Sequence, residues 1–215
     1  MSDLQLINLL YTAPAILIAI TLHELAHGFV SMKLGDPTPK SQGRITLNPL
    51  KHLDIVGTIL LFTVGFGWAK PVNVDPRYYR KPKQGMILVA LAGPIVNLII
   101  AFVCVFFYAL IYKFTLGFTD INTFLYIFVV FLEFSININV GLAVFNFIPI
   151  PPLDGSKILM GILPTNLYFK LMRYEKYVAI ALMALLFFNV LNTPLFYARS
   201  FIIEIMMNFV NFIIF

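Results

Sequence analysis

Long apolar stretches alternate with short polar ones along this chain, and the alternation sets the first expectations. The first apolar stretch runs from about Leu4 to Met32, and a spanning helix needs about 20 such residues. Pro14 lies inside it, and Gly35-Asp36-Pro37-Thr38-Pro39 ends it, since Gly and Pro stop helices. Residues 33–54 are polar by comparison. Residues 55–68 are apolar again but only about 14 long and rich in glycine, which favours a re-entrant or interfacial element over a full crossing. Trp68 at its end suits a headgroup-level anchor. After a polar stretch from Lys70 to Lys83, two strong spans are expected at about 85–112 and 121–148. The second runs into Pro149-Ile150-Pro151-Pro152-Leu153-Asp154-Gly155, which cannot lie in a regular helix interior. A short helix is expected at about 155–163, then apolar segments at about 175–191 and 195–215. Gly43–Leu47 and Pro71–Val74 alternate polar and apolar residues and read as short strands. The expected fold is an all-α multi-span membrane protein with about five spanning helices, a re-entrant segment and short membrane-associated strands. Residues 1–215 read as a single domain, with a core over about 4–165 and additional helices over about 170–215.

Composition reinforces the bilayer. Hydrophobic residues make up 60% of the chain and charged ones 12%, about half the share of a soluble domain. Mean hydropathy is +0.89. One soluble core of this size could not hide so many apolar side chains. The net charge of +5 is therefore read as a topology signal and not as a nucleic-acid footprint. Lys33, Lys40, Arg44 and Lys51 precede the short apolar segment, and Lys70, Arg77, Arg80, Lys81 and Lys83 follow it. A re-entrant segment puts both clusters on one side, where Lys157, Lys170, Arg173 and Lys176 join them. Lys113 and Arg199 are then left on the other side. The positive-inside rule places the N-terminus outside and the large polar loop in the cytoplasm. Met1-Ser2-Asp3 lacks the basic start of a secretory signal, so the first stretch is expected to stay as a spanning helix. The single cysteine, Cys104, excludes an intrachain disulfide and a cysteine-based metal site.

Candidate chemistry starts at His23-Glu24-Leu25-Ala26-His27. Histidines four apart on a helix share one face, so both imidazoles can enter one zinc shell, with Glu24 reaching toward a metal-bound water. Ionisable residues deep in a spanning helix cost kilocalories each and are functional by default. Zinc needs at least one more protein ligand and an open position. Asp154 is the stronger candidate, because irregular backbone at membrane depth lines a cavity or is buried in protein. The competing reading of Asp154 is an N-cap of the following helix. His52, the only other histidine, reads either as a gate or auxiliary ligand, or as an interfacial histidine. Glu133 reads as lining a water path or pairing with Lys113. Gly93 and Asn97, four apart, read as helix-packing residues.

Three segments together resemble the motifs of the site-2 protease family of intramembrane zinc metalloproteases. They are His23-Glu24-Leu25-Ala26-His27, Ala92-Gly93-Pro94-Ile95-Val96-Asn97 and Asn146 to Gly155, and the likeness covers about residues 10–165. Gly43 to His52, with Gly67-Trp68-Ala69-Lys70-Pro71-Val72, is similar to the compact prokaryotic branch without a PDZ or CBS domain. The resemblance implies one Zn2+ held by His23, His27 and Asp154, with Glu24 as catalytic base. It also implies that Asn146 orients the substrate backbone or stabilises the oxyanion. Read from the residues alone, Asn146 equally well satisfies backbone groups freed at the proline break. The implied substrates are transmembrane segments of other proteins, cut inside a prokaryotic cell membrane toward its cytoplasmic side. A membrane metal carrier, or an inactive relative that binds segments without cutting them, are the competing readings.

Overall fold

A computed structural model describes residues 3–64, 67–115, 123–164, 167, 170 and 173–214. Its helices are α1 (Asp3–Lys33), α2 (Thr38–Ser41), α3 (Ile55–Val64), α4 (Pro82–Thr115), α5 (Thr123–Phe147), α6 (Asp154–Ile162), α7 (Glu175–Phe187) and α8 (Asn192–Ile214). Four are long and apolar enough to cross a bilayer: α1 over Thr12–Lys33, α4, α5 and α8. Among the described residues that is one fewer than the five expected. At 13 residues α7 reaches about 20 Å, short of a hydrocarbon core of about 30 Å. The chain turns at Asn189, which takes the left-handed φ of 59° that Asn tolerates.

Contacts give the helix directions. His23 meets Asn97 and His27 meets Val89, so α1 and α4 are antiparallel. Asn97 meets Asn139 and Tyr108 meets Glu133, so α5 is antiparallel to α4. Phe102 packs on Phe209 and Lys113 donates to the Ile214 carbonyl, so α8 runs parallel to α4. The α4–α5 seam is built of small and branched residues: Ala101, Cys104, Val105 and Ala109 against Leu132, Ile136 and Val140, with Val210 of α8 closing it. Within lipid, apolar burial between helices gains little, and such close approach supplies dispersion contacts. Cys104 is accordingly a packing residue.

Arg199 departs from the expected topology. It lies beside Gly141, where a Cβ would stand 3.8 Å from Arg199 Cδ. That is a half-buried place on the α5–α8 contact, not with Lys113 at the opposite end. The reason is the short α7, which leaves α8 to start from the end where α5 finishes.

The two ends of the expected re-entrant segment meet. Gly57 lies so close to the backbone of Trp68 that a Cβ would collide with it, and Leu53 bridges Ala69. Both basic clusters therefore sit at one end of the bundle. The expected strands at 43–47 and 71–74 do not form; among the described residues there is only that isolated bridge. Pro71 and Pro76 withhold ladder donors. The polar loop is instead tied down by side chains. Arg44 donates to the carbonyls of Lys51 (2.5 Å) and Lys70. Asp36, buried at 1% exposure, accepts from Ser31 Oγ (2.7 Å), Asp75 N (2.8 Å) and Thr38 N (2.9 Å). Ser31 also meets the Tyr79 hydroxyl at 2.7 Å.

Burial disfavours the Asp36 charge, but the donors from Thr38, Asp75 and Ser31 outweigh it and hold the carboxyl below its ordinary value. A depressed carboxyl contributes stability that is complete above the unfolded value of about 3.9 and is lost as pH falls through the folded one. Asp36→Ala is expected to cost about 2–3 kcal/mol of unfolding free energy at pH 7, as removal of a charged acceptor from buried donors does. Denaturation in detergent across pH checks this: the gap to wild type should narrow below about pH 4.

Candidate metal centre

Four elements meet at the site. His23 and His27 are one turn apart on α1, Asn97 and Val89 come from α4, Asn139 from α5, and Asp154 opens α6. His27 Nδ1 lies 2.7 Å from the Val89 carbonyl, which can only accept, so Nδ1 carries the proton. His23 Nδ1 lies 2.6 Å from Asn97 Oδ1. The orientation of that amide is set by its other contacts. Asn97 Nδ2 donates to Asn139 Oδ1 (2.8 Å) and to the Ala19 carbonyl (3.3 Å), and Asn139 Nδ2 donates to the Ser135 carbonyl (2.8 Å). The amide oxygen must therefore face His23, and His23 Nδ1 is the donor.

Both Nε2 atoms are then bare lone pairs. They stand 3.0 Å apart, and Asp154 Oδ2 is 3.2 Å from His23 Nε2 and 3.0 Å from His27 Nε2. Three buried acceptors facing one another repel unless a cation lies among them. Ligands about 2.0–2.1 Å from a tetrahedral zinc sit about 3.3 Å apart, so the observed triangle is a slightly contracted zinc face. His23, His27 and Asp154 also form the only such metal-capable group among the described residues. The donor set fits Zn2+. Asp154 Oδ1 is taken by Lys157 Nζ at 3.1 Å. The N-cap of α6 is Leu153, with no capping side chain, so the competing N-cap reading of Asp154 falls away.

Gly93 is part of this geometry. A Cβ there would stand 2.5 Å from His27 Nε2 and 2.7 Å from His23 Nε2. The two rings fill the space that glycine leaves. Gly93 and Asn97 are packing residues, as their spacing suggests, and what they pack against is the histidine pair. The available signal was an amide inside an apolar span, one helical turn from a glycine.

Glu24 is half-buried on α1, and its Oε2 accepts from the Val72 backbone N–H at 2.9 Å. His23, Glu24 and Asn146 share a cavity of about 960 Å³ with Ile16, Ile20, Trp68 and Phe145. Asn146 Nδ2 donates to the Leu142 carbonyl at 3.0 Å, one turn back in α5. His52 stays out of the metal group: it is fully buried, with Nε2 on the Thr46 carbonyl at 2.9 Å and Nδ1 without a partner. Glu133 lines the cavity and accepts from the Tyr108 hydroxyl at 3.2 Å.

A bundle of apolar helices around a His-His-Asp group that fits zinc has the build of an integral membrane zinc protein. The chain belongs to peptidase family M50, whose profile matches residues 11–190. It is 41% identical over 167 residues to "Putative zinc metalloprotease YwhC" of Bacillus subtilis, covering 78% of this chain and 75% of that protein. Rip2 of Mycolicibacterium smegmatis bears the same description and is 31% identical over 145 residues, 65% of this chain and 52% of that one. So does MJ0611 of Methanocaldococcus jannaschii, 36% identical over 139 residues, 64% and 62% respectively. The chain thus spans three quarters of one relative and about half of another. No solved structure matches it.

Two substitutions test the geometry. Gly93→Ala forces the rings apart and is expected to strip the protein of zinc while helix content is kept. Asn97→Ala frees the His23 tautomer and is expected to weaken zinc about 10–100-fold, as loss of a ligand's hydrogen-bond partner does. Metal analysis and zinc titration of the purified variants, beside circular dichroism, measure both.

Proposed function

We propose that this protein is a zinc-dependent intramembrane endopeptidase that hydrolyses a peptide bond in or near the spanning segment of membrane-protein substrates. The observation that carries the reading is a carboxylate, Glu24, on the wall of one largely apolar cavity between helices that also exposes His23 of the zinc-fitting triad. A metal carrier would need the triad but not that carboxylate.

His23, His27 and Asp154 would hold the metal. When bound, zinc acidifies a water and polarises the scissile carbonyl. Glu24 accepts the water's proton and passes it to the leaving amine. The Val72 N–H holds one oxygen of Glu24, leaving the other for that transfer. Asn146 uses one N–H on Leu142, and its second N–H and Oδ1 orient the substrate backbone in the cavity. A helix hides its own carbonyls, so the segment unwinds before it is cut. The end that gathers the basic residues is the cytoplasmic one, by the positive-inside rule. That puts the N-terminus outside and the triad toward the cytoplasm.

Glu24→Gln is expected to lower cleavage of a membrane-inserted reporter at least about 10²–10⁴-fold with zinc content unchanged. His27→Ala and Asp154→Ala are expected to lose both. Wild-type cleavage by Glu24→Gln would sink the mechanism, and zinc retained in Asp154→Ala would remove it from the ligand set.

A further inference from the structure

The cavity that holds Glu24 also holds a cation. Arg199, on α8, lines it together with Asn137 and Gly141 of α5. Its depth can be read along α5. Asn139 is tied through Asn97 to His23, and Gly141, two residues on, is the residue against Arg199. Two helical residues are about 3 Å, so Arg199 lies at nearly the height of the metal site, across the cavity.

Among the described residues Arg199 has no hydrogen bond or ion pair. Its Nε is buried without an acceptor, and its one ring contact is Phe196, 5.6 Å from the guanidinium carbon. The two carboxylates lining the cavity are committed elsewhere. Glu24 takes the Val72 N–H, and Glu133 takes the Tyr108 hydroxyl. Glu133 is also eight residues from Gly141 along α5, about 12 Å. An arginine inside a spanning bundle costs kilocalories unless it meets an anion or water. Snorkelling to the interface relieves that cost, but it does not account for a buried Nε. Gly141 leaves the space in front of the side chain open. Asn137 spends an N–H on the Glu133 carbonyl one turn back, which leaves its Oδ1 as a second polar group on the same wall.

We propose that Arg199 is a specificity residue that receives a carboxylate side chain of the substrate segment, close in sequence to the bond that is cut. The planar guanidinium matches a carboxylate with paired donors. In a cavity this apolar the pairing is strong enough to select one segment over another. A lipid phosphate carries the same charge but sits at the bilayer surface, whereas Arg199 is about 10 Å along α8 from its start. The proposal rests on the peptidase reading for its substrate, so its test reads binding and not cleavage.

The full-length Glu24→Gln protein, loaded with zinc in lipid nanodiscs, is titrated with a labelled Leu/Ala spanning peptide carrying one central Asp, Asn or Lys. The Asp peptide is expected to bind at least tenfold tighter than the Lys peptide. Arg199→Gln should bring the three within about twofold, Arg199→Lys should keep the order, and Arg199→Glu should reverse it. An unchanged order in Arg199→Gln, or no order in the parent, overturns the proposal. So does a preference that follows the anionic-lipid content of the disc instead of the peptide charge. Failure of the peptidase reading shows separately, as equal reporter cleavage by wild type and Glu24→Gln.

Discussion

Three lone pairs aimed at one point inside a lipid-embedded bundle are the constraint on which the rest of this structure depends. His23 Nε2, His27 Nε2 and Asp154 Oδ2 lie within 3.2 Å of one another. In water such a cluster would take up protons or drift apart. In a bundle of four apolar spans it has neither the solvent nor the slack. Each donor atom is made a lone pair by what lies behind it: a helix carbonyl behind His27, and an amide chain running from Asn97 through Asn139 to Ser135 behind His23. Those hydrogen bonds cross from α1 to α4 and α5. The same contacts that prepare the ligands therefore set the register of three spanning helices. Zinc binding and helix packing are one problem here, and Gly93 shows how tightly they are coupled, since a single methyl group would occupy the place of the rings.

Much of this was legible in the sequence, for reasons that separate by scale. The His-Glu-x-x-His spacing needs only one helix to be meaningful, and the proline break before Asp154 needs only local backbone rules, so the three side chains that the structure brings together could be named as candidates. The re-entrant turn at 55–68 followed from length, glycine content and the charges on both sides. Asn97 and Gly93 do serve helix packing, but that their partners are the His23 and His27 rings depends on which helix face α1 meets, and interhelical register has no signature within one helix. The strands failed for a related reason. Alternation at 71–74 describes a segment that can pair, but whether a partner is present is decided elsewhere in the fold. Hydropathy over 175–191 likewise hid the turn at Asn189, and with it the fact that α8 leaves from the metal-site end and carries Arg199 into the cavity.

The cavity and the polar loop divide the chemistry. The His23, His27 and Asp154 donor atoms are held by helices: α1 and α6 carry them, and α4 and α5 supply the hydrogen bonds behind the histidines. Glu24 is held from the polar loop, by the N–H of Val72. That loop is fastened by Arg44 to Lys51 and Lys70, by the pairing of Lys70 with His52, and by Asp36 to Asp75. His52 stands apart from the His23–His27–Asp154 group, fully buried within the frame that carries Val72. The loop has no regular secondary structure to brace it, so these few polar ties decide where the Glu24 carboxylate points. A bundle that stored the metal needs nothing from the loop. Under the proposed function a bundle that uses the metal on a peptide bond would need a base at a fixed place beside it, and the Val72 contact is where the polar loop meets the Glu24 carboxylate.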